Sequence, residues 1–187
     1  KSTILSMIFG DNPKAYGQNI HLFGSKKGSG ESVWDIKKKI GYYAPAMTDK
    51  FSGRHSIENM LISGLNDSVG LYVKPTAFQQ RIIKQWLALL DLSDIKNTFF
   101  NALSTGKQRL VMTARAMVKQ PPLLILDEPT AGMDDDSAAL LVALVNKFAE
   151  ETDTAIIFVS HRKEKGLKPK QTFYLTPHET GSTGSIK

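Results

Sequence analysis

Two adjacent carboxylates, Asp127 and Glu128, end an otherwise apolar run, Leu123-Leu124-Ile125-Leu126. A buried strand that carries acids to its carboxyl end puts them where open parallel sheets bind ligands. There the first carboxylate can hold Mg²⁺, directly or through water, and the second can polarise an attacking water. A core strand that merely happens to end in acids gives the same pattern, so the pair needs support from elsewhere. Support comes from His161, which follows Ser160 at the end of the next apolar run, Thr154 to Val159. Neighbouring parallel strands would bring this imidazole to the sheet edge that carries the acids. Upstream, Leu103-Ser104-Thr105-Gly106-Lys107-Gln108-Arg109 opens a helical pattern. A serine and a glycine at a helix start expose backbone N–H groups and the positive end of the dipole, which attract phosphate. Ser104 would equally serve as an ordinary N-cap.

The elements that must position these groups follow from periodicity. Ser2 to Phe9 reads as a helix broken at Gly10-Asp11-Asn12-Pro13. Asn19 to Phe23 reads as a short strand, Gly24 to Ser32 as a polar turn, and Val33 to Ile36 as the start of a helical turn. Ile40 to Ala44 is a strand stopped by Pro45. From Ser56 to about Leu92 the pattern is helical, with N-caps at Ser56 and Thr76 and one face made of Phe78, Ile82, Ile83, Trp86, Leu87 and Leu90. A further helix runs from about Ser104 to Val118, and Asp136 to Glu151 is another. Gln171 to Leu175 reads as the last strand. Gly181-Ser182-Thr183-Gly184-Ser185 reads as a flexible tail. Continuous apolar strands alternating with helices imply an α/β fold, a parallel sheet covered on both faces. A helical stretch at about 54–120 interrupts the alternation like an inserted subdomain.

The bulk properties exclude several classes. With 187 residues, 41% hydrophobic and 22% charged, the chain can bury a core. It has no apolar run long enough to span a bilayer and no cysteine for disulfides or cysteine–zinc sites. The absence of cysteine suits the cytoplasm. The net charge of +6 is partly local, at Lys26-Lys27 and Lys37-Lys38-Lys39. No nucleic-acid recognition motif accompanies these lysines, so a solvated basic loop is the preferred reading and direct nucleic-acid binding is not expected.

Taken together, these motifs resemble those of the ABC ATPase nucleotide-binding domain, a P-loop NTPase-type parallel sheet with an inserted helical subdomain. Leu103 to Arg109 is similar to the signature motif, Leu123 to Glu128 to Walker B with its glutamate, and Ala131-Gly132-Met133-Asp134 to the D-loop. His161 stands at the switch histidine. The opening Lys1-Ser2-Thr3 then resembles the end of a Walker A loop, Gly-x-x-x-x-Gly-Lys-Ser/Thr. Tyr16, His21 to Tyr43 and the Gly10-Asp11-Asn12-Pro13 break narrow the likeness to the second cassette of molybdate-transport-type tandem ATP-binding proteins, also called photorepair proteins.

The resemblance implies ATP and Mg²⁺ as ligands. Lys1, Ser2 and Thr3 would bind nucleotide, Ser2 and Asp127 the metal. Glu128 and His161 would be catalytic, and Ser104, Gly106 and Asp134 would reach the nucleotide of a second cassette, in the same polypeptide or a homodimer. Membrane permease subunits are implied partners, with the protein in the cytoplasm or at the inner face of the cell membrane. The domain would occupy residues 1–180, with a tail at 181–187. Its leading strand and the loop glycines before Lys1 are not in the sequence, so these residues alone are expected to bind ATP weakly. Three features depart from the pattern: those missing glycines, the lack of a glutamine from Ile40 to Gly53 where a Q-loop would fall near Pro45, and Thr105 and Lys107 in the signature. Two other readings remain open. One is a soluble ABC ATPase of DNA repair or translation; the other is a degenerate cassette acting as a regulatory binding module.

Overall fold

The computed structural model describes all residues except Asp11, Tyr16, Ser52, Gly53, Glu179, Thr180 and Lys187. Asp11 and Tyr16, both part of the narrower resemblance, therefore lie outside the described residues. The first helix, α1 (Ser2–Phe9), ends at Gly10, whose φ of 93° suits a residue without a β-carbon. A two-residue hairpin, β1 (His21–Leu22) with β2 (Ser25–Lys26), precedes α2 (Val33–Lys38). The strand expected over Asn19 to Phe23 is thus only its centre. A capping box between Ser32 and Asp35 starts α2.

Strand β3 (Ile40–Tyr43) leads into a 3-10 turn, Pro45–Lys50. Three helices follow: α3 (Ile57–Leu65), α4 (Ala77–Leu89) and α5 (Thr105–Met117). Their N-caps are Ser56, Thr76 and Ser104, each accepting from the backbone N–H three residues on. The rest of the core is β4 (Leu123–Asp127), α6 (Asp135–Glu151) and β5 (Ala155–Val159). The chain closes with β6 (Phe173–His178) and β7 (Gly181–Ile186).

The central sheet has the order β3-β4-β5 and is parallel throughout. Its two faces are covered as the apolar strands require. Leu124 and Leu126 pack into the larger core with α3, α5 and α6, while Ile125 points the other way, onto Leu5 of α1 and Ile36 of α2. Helix α5 lies so close to β3 that a β-carbon on Gly41 would collide with the carbonyl oxygen of Ala116. Only glycine permits that approach. Arg115 of α5, pushed down to a pKa of about 10 by burial, donates to Ser63 Oγ at 2.9 Å and to the Ser68 carbonyl at 2.7 Å. Its guanidinium also lies 4.9 Å from the ring centre of Phe51. Among the described residues no helix is long and apolar enough to cross a membrane.

Two sequence expectations change. Phe78, assigned to the apolar face of α4, is 61% exposed, whereas Ile83, Leu87 and Leu90 are buried. It falls in the first turn of the helix, beyond the reach of the core. The expected flexible tail is instead strand β7, paired antiparallel with β6 from Phe173↔Ile186 to His178↔Gly181. Its Gly/Ser/Thr composition hid this. Gly184 leaves the space that the ring of Phe173 fills across the hairpin, and His178 hydrogen-bonds Thr183 at 2.8 Å.

Candidate functional site

The register of the sheet assembles the site. Asp127 pairs with Val159, and the Glu128 N–H extends the ladder to the Val159 carbonyl at 2.9 Å. Glu128 and Ser160 therefore leave the sheet side by side at its carboxyl edge. Glu128 has a φ of 50°, in the left-handed region that disfavours side chains with a β-carbon. From this strained turn its carboxylate Oε1 meets His161 Nε2 at 2.5 Å. Arg109 of α5 donates to the Glu128 carbonyl at 3.4 Å, which ties the signature-like helix to the acid's backbone.

Asp127 sits one residue back and is 8% exposed. The Ser2 hydroxyl donates to its Oδ2 at 3.4 Å, a long bond, while its buried Oδ1 has no hydrogen-bond partner among the described residues. Burial, and then the charge of Glu128, raise its carboxyl above the ordinary range; Ser2 and His161 oppose this without reversing it. A buried carboxylate oxygen that wants a partner, beside a hydroxyl, is a hard oxygen donor set of the kind that binds Mg²⁺. Ser2 and Asp127 thus fit the ion the resemblance implies. Lys1 Nζ donates to the Ser160 carbonyl at 2.7 Å, on the same edge. Thr3 is exposed, and its carbonyl accepts the Ser6 hydroxyl at 2.9 Å.

A cleft of about 210 Å³ opens here, lined by residues of both turns, including Glu128, Gly132, His161 and Glu164. Another cavity of about 210 Å³ lies between α4 and α6, against Trp86, Leu144 and Phe148. There Lys147 and Glu151 neutralise each other at 2.7 Å, so the chemistry belongs to the first cleft.

Ser104, Gly106 and Asp134 form a separate cluster. Ser104 is exposed at the start of α5. Gly106 is buried, and a β-carbon there would lie 2.7 Å from Ser137 Oγ and 3.6 Å from Asp134 Oδ2. Asp134 caps α6, accepting from the Ser137 N–H at 2.8 Å; that bond leads the causes holding its carboxyl below the usual range. Within this chain, then, Gly106 permits the packing of α5 on the start of α6, and Asp134 serves as an N-cap.

Sequence reasoning missed Glu164. Its carboxylate Oε1 accepts from Thr130 Oγ1 and Ser160 Oγ, both at 2.7 Å, and from Arg162 Nε at 3.3 Å. The available signal was a lone acid in the basic run Arg162-Lys163-Glu164-Lys165.

A parallel sheet with Walker B-like acids, an apposed histidine and a lysine–serine helix start defines a P-loop nucleotide-binding fold. The chain belongs to the ABC transporter family, whose model matches residues 1–131. It is 41% identical over 165 residues to the ABC transporter ATP-binding protein ModF of Escherichia coli, covering 88% of this chain and 34% of that protein. It is 31% identical to the zinc uptake system ATP-binding protein ZurA of Listeria innocua, covering 86% of this chain and 61% of that one. The molybdate import ATP-binding protein MolC of Haemophilus influenzae is 22% identical, over 87% of this chain and 57% of its own length. The chain spans about a third of the length of ModF. Among solved structures, the dimeric post-hydrolysis state of the ATP-binding cassette MJ0796 bound to ADP and Pi superposes with a TM-score of 0.68 at 22% identity, covering 86% of this chain and 69% of that one. These figures establish the fold.

Proposed function

We propose that this chain is a cassette that binds and hydrolyses ATP within a larger ABC protein and energises transport of a molybdate-type or related substrate. The observation that carries the hydrolytic part is the Glu128–His161 pair at the sheet edge, next to the Ser2–Asp127 donors. Ser2 and Asp127 would hold Mg²⁺, which when bound neutralises phosphate charge. Lys1, whose ammonium donates to the Ser160 carbonyl, would turn it to the terminal phosphate, where charge stabilisation is the main catalytic work. Glu128 orients or deprotonates the attacking water, and His161 holds that carboxylate and adds a donor near the same phosphate. Ser104, Gly106 and Asp134 face the nucleotide of a second cassette. Support for the transport role is the likeness to ModF and MolC, and permease subunits are the corresponding partners.

One observation favours a second reading, a regulatory cassette that binds nucleotide without efficient turnover. The segment after β3 is a 3-10 turn with no glutamine, and Phe51 behind it is fixed against Arg115. The assembled Glu128–His161 pair weighs against it. Substituting Glu128→Gln in the complete protein tests both. Preserved ATP binding with abolished turnover supports the enzyme, and unchanged turnover removes Glu128 from the mechanism.

A further inference from the structure

The acid and the histidine of the site stand on two separate turns, and neither side chain is well held by packing. His161 is 73% exposed in its side chain and Glu128 30%. Their separation must therefore be set by the backbones that carry them. Side chains from those two turns meet at one atom. Thr130, two residues after Glu128, and Ser160, immediately before His161, both donate to Oε1 of Glu164 at 2.7 Å. Arg162, immediately after His161, adds Nε at 3.3 Å, and its backbone N–H donates to Ser160 Oγ at 3.1 Å. The Glu164 side chain is 4% exposed. It is a buried charge that the mechanism above does not use.

We infer that Glu164 is a positioning residue: its carboxylate clamps the Glu128-Pro129-Thr130 turn to the Ser160-His161-Arg162 turn and so fixes the Glu128–His161 pair for the hydrolytic step. Three donors on one buried carboxylate oxygen form a stiff, charge-assisted junction. Without it the two turns are joined at this edge by the backbone bond from Glu128 to Val159 and by the exposed Glu128–His161 contact itself. A displacement of about 1 Å at a reacting pair can reduce a rate by around 10²-fold while substrate binding is unaffected. Ser2 and Asp127 lie outside the clamp, and Lys1 meets it only at the Ser160 carbonyl, a backbone acceptor that its ammonium leaves for phosphate in the proposed mechanism. Its loss is therefore expected to fall on kcat and leave KM for ATP alone.

The inference rests on the ATPase reading, and the test separates the two. In the complete protein, steady-state ATPase and thermal stability are measured for Glu128→Gln, Glu164→Leu, Glu164→Gln, Thr130→Val and the Thr130→Val/Glu164→Leu double variant. Glu164→Leu is expected to lower kcat at least about 10-fold with KM for ATP within about 2-fold. Glu164→Gln keeps an acceptor oxygen and should recover most of that loss. The double variant should be no worse than Glu164→Leu, because the two residues act as one unit. A kcat near wild type in folded Glu164→Leu, or a loss shared equally by kcat and KM, overturns the clamp. Should Glu164→Leu fail to fold, Thr130→Val, which leaves the carboxylate and Ser160 in place, must show the same fall in kcat at constant KM, and its absence overturns the clamp equally. Full turnover by Glu128→Gln defeats the ATPase reading itself; a dead Glu128→Gln beside an active Glu164→Leu defeats only the clamp.

Discussion

Asp127 and Glu164 lie at the same edge of the sheet, and each is 8% exposed, yet their surroundings are opposite. Asp127 has one long bond from Ser2, an oxygen with no partner among the described residues, and a carboxyl raised by burial and by Glu128. For Glu164, burial alone would raise the carboxyl, but hydrogen bonds from Ser160, Thr130 and Arg162, together with the Arg162 charge, hold it below the usual range. One buried acid is left short of partners and the other carries three donors on a single oxygen. A site that must accept a cation keeps the first kind, because an oxygen already satisfied within the protein gains little from a metal. A site whose parts must not move uses the second kind.

The largest effect expected from breaking this contrast is at Asp127. Asp127→Asn should reduce ATP turnover by at least about 100-fold, since the amide is a poor ligand for a hard cation. The metal-free protein should behave in the reverse sense. Removing a buried charge that burial disfavours is expected to hold its melting temperature level or raise it by roughly 2–4 °C, the shift that about 1 kcal/mol gives in a domain of this size. Mg²⁺ should then add no further shift. Melting curves with and without Mg²⁺ measure both, and a large loss of metal-free stability in Asp127→Asn would mean that the carboxylate is structurally satisfied after all.

A smaller effect should follow at Glu164. Thr130 is 2% exposed, and its hydroxyl gives one of the short bonds to Glu164. Thr130→Val is nearly isosteric and deletes only that bond, so it should cost about 1.5–3 kcal/mol, the usual range for a hydrogen bond to a charged group. Ser160→Ala should cost less, because Ser160 is only half buried and water can replace its hydroxyl. Urea titration of both variants ranks them; equal costs would show that burial does not govern the strength of these bonds.

The two acids also differ in how far they could be read from the sequence. Asp127 was legible because an apolar run ends on it, and the parallel sheet, with its caps at Ser56, Thr76 and Ser104, followed from patterns that local physics enforces. The proximity of Glu128 and His161 was legible, because the register of β4 on β5 brings them to one edge, and Lys1 and Ser2 meet that edge from the start of α1. Glu164 was not. Its partners come from a turn distant in sequence, and a single glutamate among lysines and an arginine looks like a solvated surface. Strand β7 was missed for a similar reason: its pairing partner, not its composition, makes it a strand. Local pattern reports periodicity and caps, whereas a buried hydrogen-bond junction depends on which turns the fold brings together.

The smallest expected effect is a pH dependence, and its sign follows from the depressed carboxyl of Glu164. A carboxylate whose pKa is lower in the folded than in the unfolded chain stabilises the fold fully above the ordinary glutamate range of about 4.3. That contribution is lost as pH falls through the lower folded value. Glu164→Gln carries no titrating group, so its stability relative to wild type should be poorest near neutrality and converge on wild type in acid. Asp127 predicts the opposite slope, because a raised carboxyl makes the ionised, metal-free fold less favourable as pH rises. The difference in unfolding free energy between wild type and Glu164→Gln, followed from neutral pH into the acid limb, isolates the Glu164 contribution from the other carboxylates. A gap that stays constant or widens toward acid would mean that the hydroxyls of Thr130 and Ser160 do not stabilise the charged form, and the contrast between the two acids would then reduce to packing.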